Sequence, residues 1–136
     1  MSNSIDIIFH KLVTKFFWVL AIIGILLCSF TWYLDLSGLV NQCAYCRVQR
    51  TMIGVTAIVM LLPIRSYLTA ILQRFLGVLF VFIGASISVA QMFLAIHDGT
   101  FPTYNSWLAM GALVFLFMQL FTIFIKTSRL SSALSQ

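Results

Sequence analysis

Residues 46–65 read CRVQRTMIGVTAIVMLLPIR, and whether they cross a bilayer settles whether the chain has three spans or four. A helix rises about 1.5 Å per residue and the hydrocarbon core is about 30 Å thick, so a span needs about 20 largely apolar residues. The charge-free interval 51–64 is too short, but it reaches that length if its helix starts near Cys46. Arg47 and Arg50 then lie in one headgroup zone and Arg65 in the other. The neighbouring intervals pose no such problem: 16–34 lies between Lys15 and Asp35, 75–97 between Arg74 and Asp98, and 99–125 precedes Lys126. Spans are therefore expected at about 16–34, 46–64, 75–97 and 107–125. The 136 residues are 62% hydrophobic and 8% charged, with a mean hydropathy of +1.08. A soluble domain of this size carries roughly a quarter charged residues on its surface, so a soluble fold is excluded, and disorder with it. The net charge of +5 comes from scattered single cations with no basic stripe, which argues against nucleic acid as a partner.

The cations sort by side. Lys11, Lys15, Arg65, Arg74, Lys126 and Arg129 fall on one, and only Arg47 and Arg50 on the other. The positive-inside bias places both termini and the 63–73 connection in the cytoplasm, with the 35–45 and 98–106 loops outside. Trp18, Trp32, Tyr33, Tyr104 and Trp107 fall near the expected interfaces. A signal peptide competes for residues 1–34, but the apolar run is too long for one and has no small-x-small cleavage site. Residues 4–15, SIDIIFHKLVTK, space Ile5, Ile8, Phe9 and Leu12 helically, with Asp6, His10 and Lys11 elsewhere, as in an interfacial helix leading into the first span. Gly84, Ala85, Ser86 and Ser88 suit close helix packing, and the Ser-rich tail 128–136 is expected to fray. The expected fold is an all-α membrane protein, an antiparallel bundle of four transmembrane helices in one domain.

Two of the three cysteines form Cys43-Ala-Tyr-Cys46 in the outer loop. A CxxC can be a redox pair, half a metal site or chance. Zinc takes four ligands, and only His97 and Cys28 are at hand to supplement the pair, so no metal site is expected. The redox reading has a mechanism, because a sulfur at a helix N-terminus faces unpaired N–H groups and the positive end of the macrodipole, both of which favour thiolate. Arg50 follows Cys46 by four residues and so shares its face one turn deeper. It is either an interfacial anchor or a fork of donors for the carbonyl of a flat, lipid-soluble acceptor such as a quinone. Cys28, inside the first span, reads as a small buried hydrophobe; Gln91, inside the third, as interhelix glue; His97 either protonates a reduced quinone or rests among headgroups.

Cys43-Ala-Tyr-Cys46-Arg47-Val48-Gln49-Arg50, opening the second of four spans from an outer loop, resembles the disulfide bond formation protein B family. That family's CxxC, followed after two residues by Glu or Gln and then Arg, is met by Cys43, Cys46, Gln49 and Arg50. The resemblance implies an inner-membrane thiol:quinone oxidoreductase of a bacterium, using ubiquinone or menaquinone to reoxidise a periplasmic thioredoxin-like partner. It makes Cys43 and Cys46 the catalytic pair, with Cys46 as the thiolate at the quinone ring and Arg50 beside it; Gln49 and His97 are the further quinone-side candidates. Family members carry a second cysteine pair between spans three and four, and the loop Asp98-Gly-Thr-Phe-Pro-Thr-Tyr-Asn-Ser106 has none. Either the single pair exchanges directly with the partner, another protein supplies the second pair, or the redox function has changed. The rival reading is a non-catalytic small membrane subunit or assembly factor that keeps the fold.

Reporter fusions after Arg65 and after Gln136 should both read cytoplasmic. An outside reading at either point would overturn the orientation and place the CxxC in the reducing compartment.

Overall fold

Four helices make up nearly all of the computed structural model, which describes residues 2–39, 43–101 and 103–134. They are α1 (Ser2–Leu36), α2 (Ala44–Leu61), α3 (Tyr67–His97) and α4 (Tyr104–Leu134), and no strand occurs among the described residues. Each boundary has a local cause. α2 stops at Leu61, short of the expected 64, because Pro63 drives Leu62 out of the helical region, to ψ 131°. α3 restarts on a capping box, with the Ser66 hydroxyl accepting from the Thr69 N–H and the Thr69 side chain accepting from the Ser66 N–H. α1 and α3 both exit through a left-handed glycine, Gly38 at φ +72° and Gly99 at φ +63°. Leu39 N–H then reaches back to Leu34 O and Thr100 N–H to Ala95 O, closing two Schellman turns.

The helices run further than the apolar intervals, because a charge at a headgroup does not break a helix. Residues 4–15 continue into α1 without interruption, and the side chains of Ile5, Asp6 and His10 lie outside the described residues. The tail expected to fray is helical to Leu134, since Ser128 and Ser132 return their hydroxyls to the carbonyls of Ile125 and Ser128. Residues 40–42 and 102 of the α1–α2 and α3–α4 connections and the C-terminal Gln136 lie outside the described residues.

Among the described residues three segments are long and apolar enough to cross a membrane: Ile7–Leu36, Tyr67–His97 and Tyr104–Arg129. They turn large apolar side chains outward, Phe82 at 71% exposure and Phe121 at 69%, as lipid-facing surfaces do. α2 is not among them. At 18 residues it is only about 27 Å long, and it is the helix the others surround: it packs against α1, α3 and α4, while α3 also packs on α4. α1 touches α4 sparingly. They share a core cluster in which Phe17, Leu20 and Ala21 of α1 meet Met60 and Ile123, and Lys126 Nζ lies 4.0 Å from the Phe17 ring centroid. A second core cluster, Ile53, Val81 and Leu116, joins α2, α3 and α4.

Polar glue holds α2 in place. Gln49 Nε2 donates to Ser88 Oγ at 2.6 Å, Gln73 Nε2 to the carbonyls of Val59 and Met60 at 2.6 and 3.0 Å, and Gln119 Nε2 to the Ile53 carbonyl at 3.3 Å. The Gln73 bonds reach carbonyls at the C-terminal end of α2; that of Val59 also accepts the Leu62 N–H, and that of Met60 also accepts Lys126 Nζ. Close approach comes from glycine: a Cβ on Gly54 would lie 2.5 Å from Cys28 Sγ and 2.8 Å from Cys28 Cβ, and one on Gly84 2.7 Å from Leu116 Cδ1.

Gly54→Val should therefore force α1 off α2 and cost about 1–3 kcal/mol of thermal stability. Cys28→Ala should restore only part of the loss, since its Cβ stays in the way; an unshifted melting temperature for Gly54→Val would contradict this packing.

Candidate active site

α2 begins beside two thiols. Cys43 is the residue before its first turn, in extended conformation at φ −104° and ψ 117°, and its carbonyl accepts the Arg47 N–H at 3.1 Å. No side chain forms a regular cap at this end, so the first-turn N–H groups of Tyr45 and Cys46 are left to face the Cys43 sulfur. Both Cys43 and Cys46 are free thiols and half-buried. Burial alone pushes the Cys43 thiol up, but hydrogen bonds from the Cys46 thiol and from the backbone N–H groups of Cys46 and Tyr45, with the Arg50 charge, outweigh it and hold Cys43 below the ordinary thiol range. Gln91 of α3 brings its Nε2 to 3.6 Å from Cys46 Sγ, so the expected interhelix glue here is spent on a sulfur.

One carboxylate organises the cations. Asp35, at the end of α1 with its side chain 2% exposed, accepts Arg47 Nε at 2.6 Å and Nη2 at 3.3 Å, and Arg50 Nη1 lies 3.9 Å away. Arg50 Nη1 also donates to the Thr31 carbonyl at 3.1 Å. These bonds tie the exit of α1 to the start of α2 and fix where the Arg50 fork points. Asp35 was visible in the sequence only as the end of an apolar interval, yet it stands as the sole acid near the CxxC in a loop whose cations are Arg47 and Arg50. That imbalance was the available signal.

Where α1 and α4 part, a cavity of about 630 Å³ opens. Its walls bring together Cys43, Cys46, Gln49 and Arg50 from the CxxC segment, Cys28 and Thr31 from α1, and Tyr104, Asn105, Trp107 and Phe115 from α4. Cys28 thus faces a hollow as well as the packed seam at Gly54. His97 is not brought to this place: it is exposed at the end of α3, its Nδ1 3.3 Å from Asp98 Oδ1, and α3 contributes nothing to the cavity wall. Gln49 is committed to Ser88, leaving Arg50 as the cationic donor facing the cavity. Among the described residues no group of three His, Cys, Asp or Glu side chains is placed to hold a metal ion.

Comparison of the chain with protein-family models, with curated proteins and with solved structures yields no match. Function therefore rests on the geometry and on the motif.

Alkylation of Cys43 followed by mass mapping should be half-maximal at a lower pH than for an unperturbed cysteine, about 8.5. A depressed pKa keeps the thiolate present where an ordinary thiol is already protonated. Cys46→Ala removes one of the donors and should move the profile upward; coincident profiles for the two proteins would refute the hydrogen-bonded thiolate.

Proposed function

We propose that the chain is a thiol:quinone oxidoreductase of a bacterial inner membrane, built as four antiparallel spans with both termini in the cytoplasm and the CxxC facing the periplasm. The observation that carries the reading is the meeting of Cys43, Cys46 and Arg50 on the wall of one cavity between α1 and α4. The cavity falls in the ~300–1,000 Å³ range of small-molecule sites, and its lining is mostly apolar with a few convergent polar groups. α2 is the fourth span: its polar residues find partners on the surrounding helices, so it can lie in the membrane without presenting them to lipid.

A flat carbonyl-bearing oxidant suits this donor set. Arg50 offers N–H groups to a carbonyl oxygen where negative charge develops, and Trp107 and Phe115 offer apolar walls to a ring and its hydrocarbon tail. The quinone supplies a two-electron oxidant; the protein positions the sulfurs and stabilises thiolate. Oxidation closes the Cys43–Cys46 bond, with both electrons and both thiol protons passing to the quinone to give the quinol. The disulfide is then reduced by a thioredoxin-like dithiol. A thiolate of that partner attacks Cys43 Sγ, the Cys46 thiolate leaves, and the second partner thiol resolves the mixed disulfide to give an oxidised partner and the reduced pair. Cys43 suits the partner-facing role because it precedes the helix, while Cys46 is held one turn in, under Gln91. With no second pair between α3 and α4, exchange takes place at the CxxC itself.

Purified protein in lipid should show Cys43 and Cys46 passing from dithiol to disulfide only when quinone is added, and returning on addition of a reduced thioredoxin-like protein. Arg50→Met should raise the quinone KM and lower kcat/KM about tenfold or more while the disulfide still forms, and Arg50→Lys should also be impaired. Mixed with an oxidised thioredoxin-like protein, Cys46→Ser should hold a reducible adduct on Cys43, because Cys43 attacks the partner's disulfide and no Cys46 thiol is there to displace the partner, equally in a Cys28→Ser background. A pair indifferent to quinone, with an empty trap, would leave a non-catalytic membrane subunit as the reading.

A further inference from the structure

The end of α4 lies among cations with no acidic partner. Arg74 Cζ sits 5.8 Å from the ring centroid of Phe124, Lys126 Nζ 4.0 Å from that of Phe17, and Arg129 Cζ 5.0 Å from that of Phe9. A ring face attracts a cation but leaves its charge in place and takes few of its N–H donors. Arg74 spends Nε on Thr127 Oγ1 at 2.5 Å, and Lys126 spends one N–H on the Met60 carbonyl at 3.2 Å. Among the described residues every ion pair lies at the opposite end, on Asp35 or Asp98, and none involves Arg74, Lys126 or Arg129.

Two of these cations flank an outward face. Phe117, Phe121, Phe124 and Ser128 recur at i, i+4, i+7 and i+11 and so share one side of α4, and all four are exposed. Arg74 reaches the face from α3, over Phe124; Arg129 stands at its other side, toward Phe9 of α1. From Phe117 to Ser128 the helix rises about 16 Å, which matches one leaflet of a hydrocarbon core about 30 Å thick.

We propose that this face of α4 is a binding site for an anionic phospholipid. Its acyl chains lie along Phe117, Phe121 and Phe124, and its phosphate is held at the level of Ser128 by the donors that Arg74 and Arg129 have left. Among the described residues no carboxylate offsets the positive charge of the site, so it selects a headgroup of net negative charge over a zwitterionic one. The proposal rests on the membrane-crossing character of α4 and is independent of the redox reading.

The full chain, extracted in detergent and offered equal amounts of phosphatidylglycerol and phosphatidylcholine, should retain phosphatidylglycerol preferentially in native mass spectrometry. The double variant Arg74→Gln/Arg129→Gln should weaken that retention about twenty-five-fold, from about fivefold per cation removed. Arg74→Lys/Arg129→Lys should keep most of it. Phe121→Asn should weaken both lipids without changing the preference between them, and this variant carries the test if the glutamine pair fails to fold. Equal retention of the two lipids would overturn the proposal. So would a loss of the same size from Lys11→Gln/Lys15→Gln, which would make the preference a property of a diffuse basic rim. Displacement of the lipid by inorganic phosphate beyond a chloride control of equal ionic strength would overturn it in favour of a site for free anions.

Discussion

A helix bearing Arg47, Gln49, Arg50, Thr51 and Thr56 can sit at the centre of an apolar bundle only if its polar groups are answered from within the protein, because the apolar side chains around it offer none of the hydrogen bonds that water would. α2 is that helix, and the other three are arranged so as to answer it. α1 supplies Asp35 and the Thr31 carbonyl, α3 supplies Ser88 and Gln73, and α4 supplies Gln119 and Lys126. The threonines answer themselves, each returning its hydroxyl to a carbonyl one turn back. Central burial also explains why α2 can be the shortest and least apolar helix: most of its side chains meet its neighbours, with Ile58 and Tyr45 turned outward.

The same arrangement makes the hollow. Helices α1 and α4 both pack on α2, but they meet each other sparingly, from Phe9 and Phe17 up to Gly24, and leave a cavity between them at the CxxC end. The start of α2 therefore opens onto a gap instead of a third helix. Its two thiols and Arg50 line that gap, and Asp35 sits behind them, offsetting part of the charge of Arg47 and Arg50. A sulfur at this place has the start of α2 and a cation on one side and apolar walls on the other.

The two ends of the bundle handle charge in opposite ways. At the CxxC end the cations are paired with a nearly inaccessible carboxylate, which holds their geometry fixed. At the other end Arg74, Lys126 and Arg129 lean on aromatic rings and keep their charge for the surroundings. The first arrangement positions a side chain at a site; the second leaves a surface attractive to anions.

The sequence by itself determined that this chain is helical and membrane-embedded, because runs such as 16–34 and 75–97 are too long and too apolar to be anything but lipid-facing helix. It also marked Cys43, Cys46 and Arg50 as one group, since spacings of three and four residues along a helix are a local matter. The end of α2 was equally legible in Pro63, although charge placement alone put it three residues further on. What only the tertiary structure decided was which helix lies at the centre and which side chains share the cavity. His97 sits beside the CxxC in a reading by membrane depth, but depth does not fix the position around the bundle, and α3 lies away from the gap. Cys28, read as a packed hydrophobe, stands at the seam with Gly54 and at the cavity wall together, because α1 turns one face to both. Asp35 and the α4 residues from Tyr104 to Phe115 join the site across long stretches of chain, through packing that no periodicity within a single helix encodes.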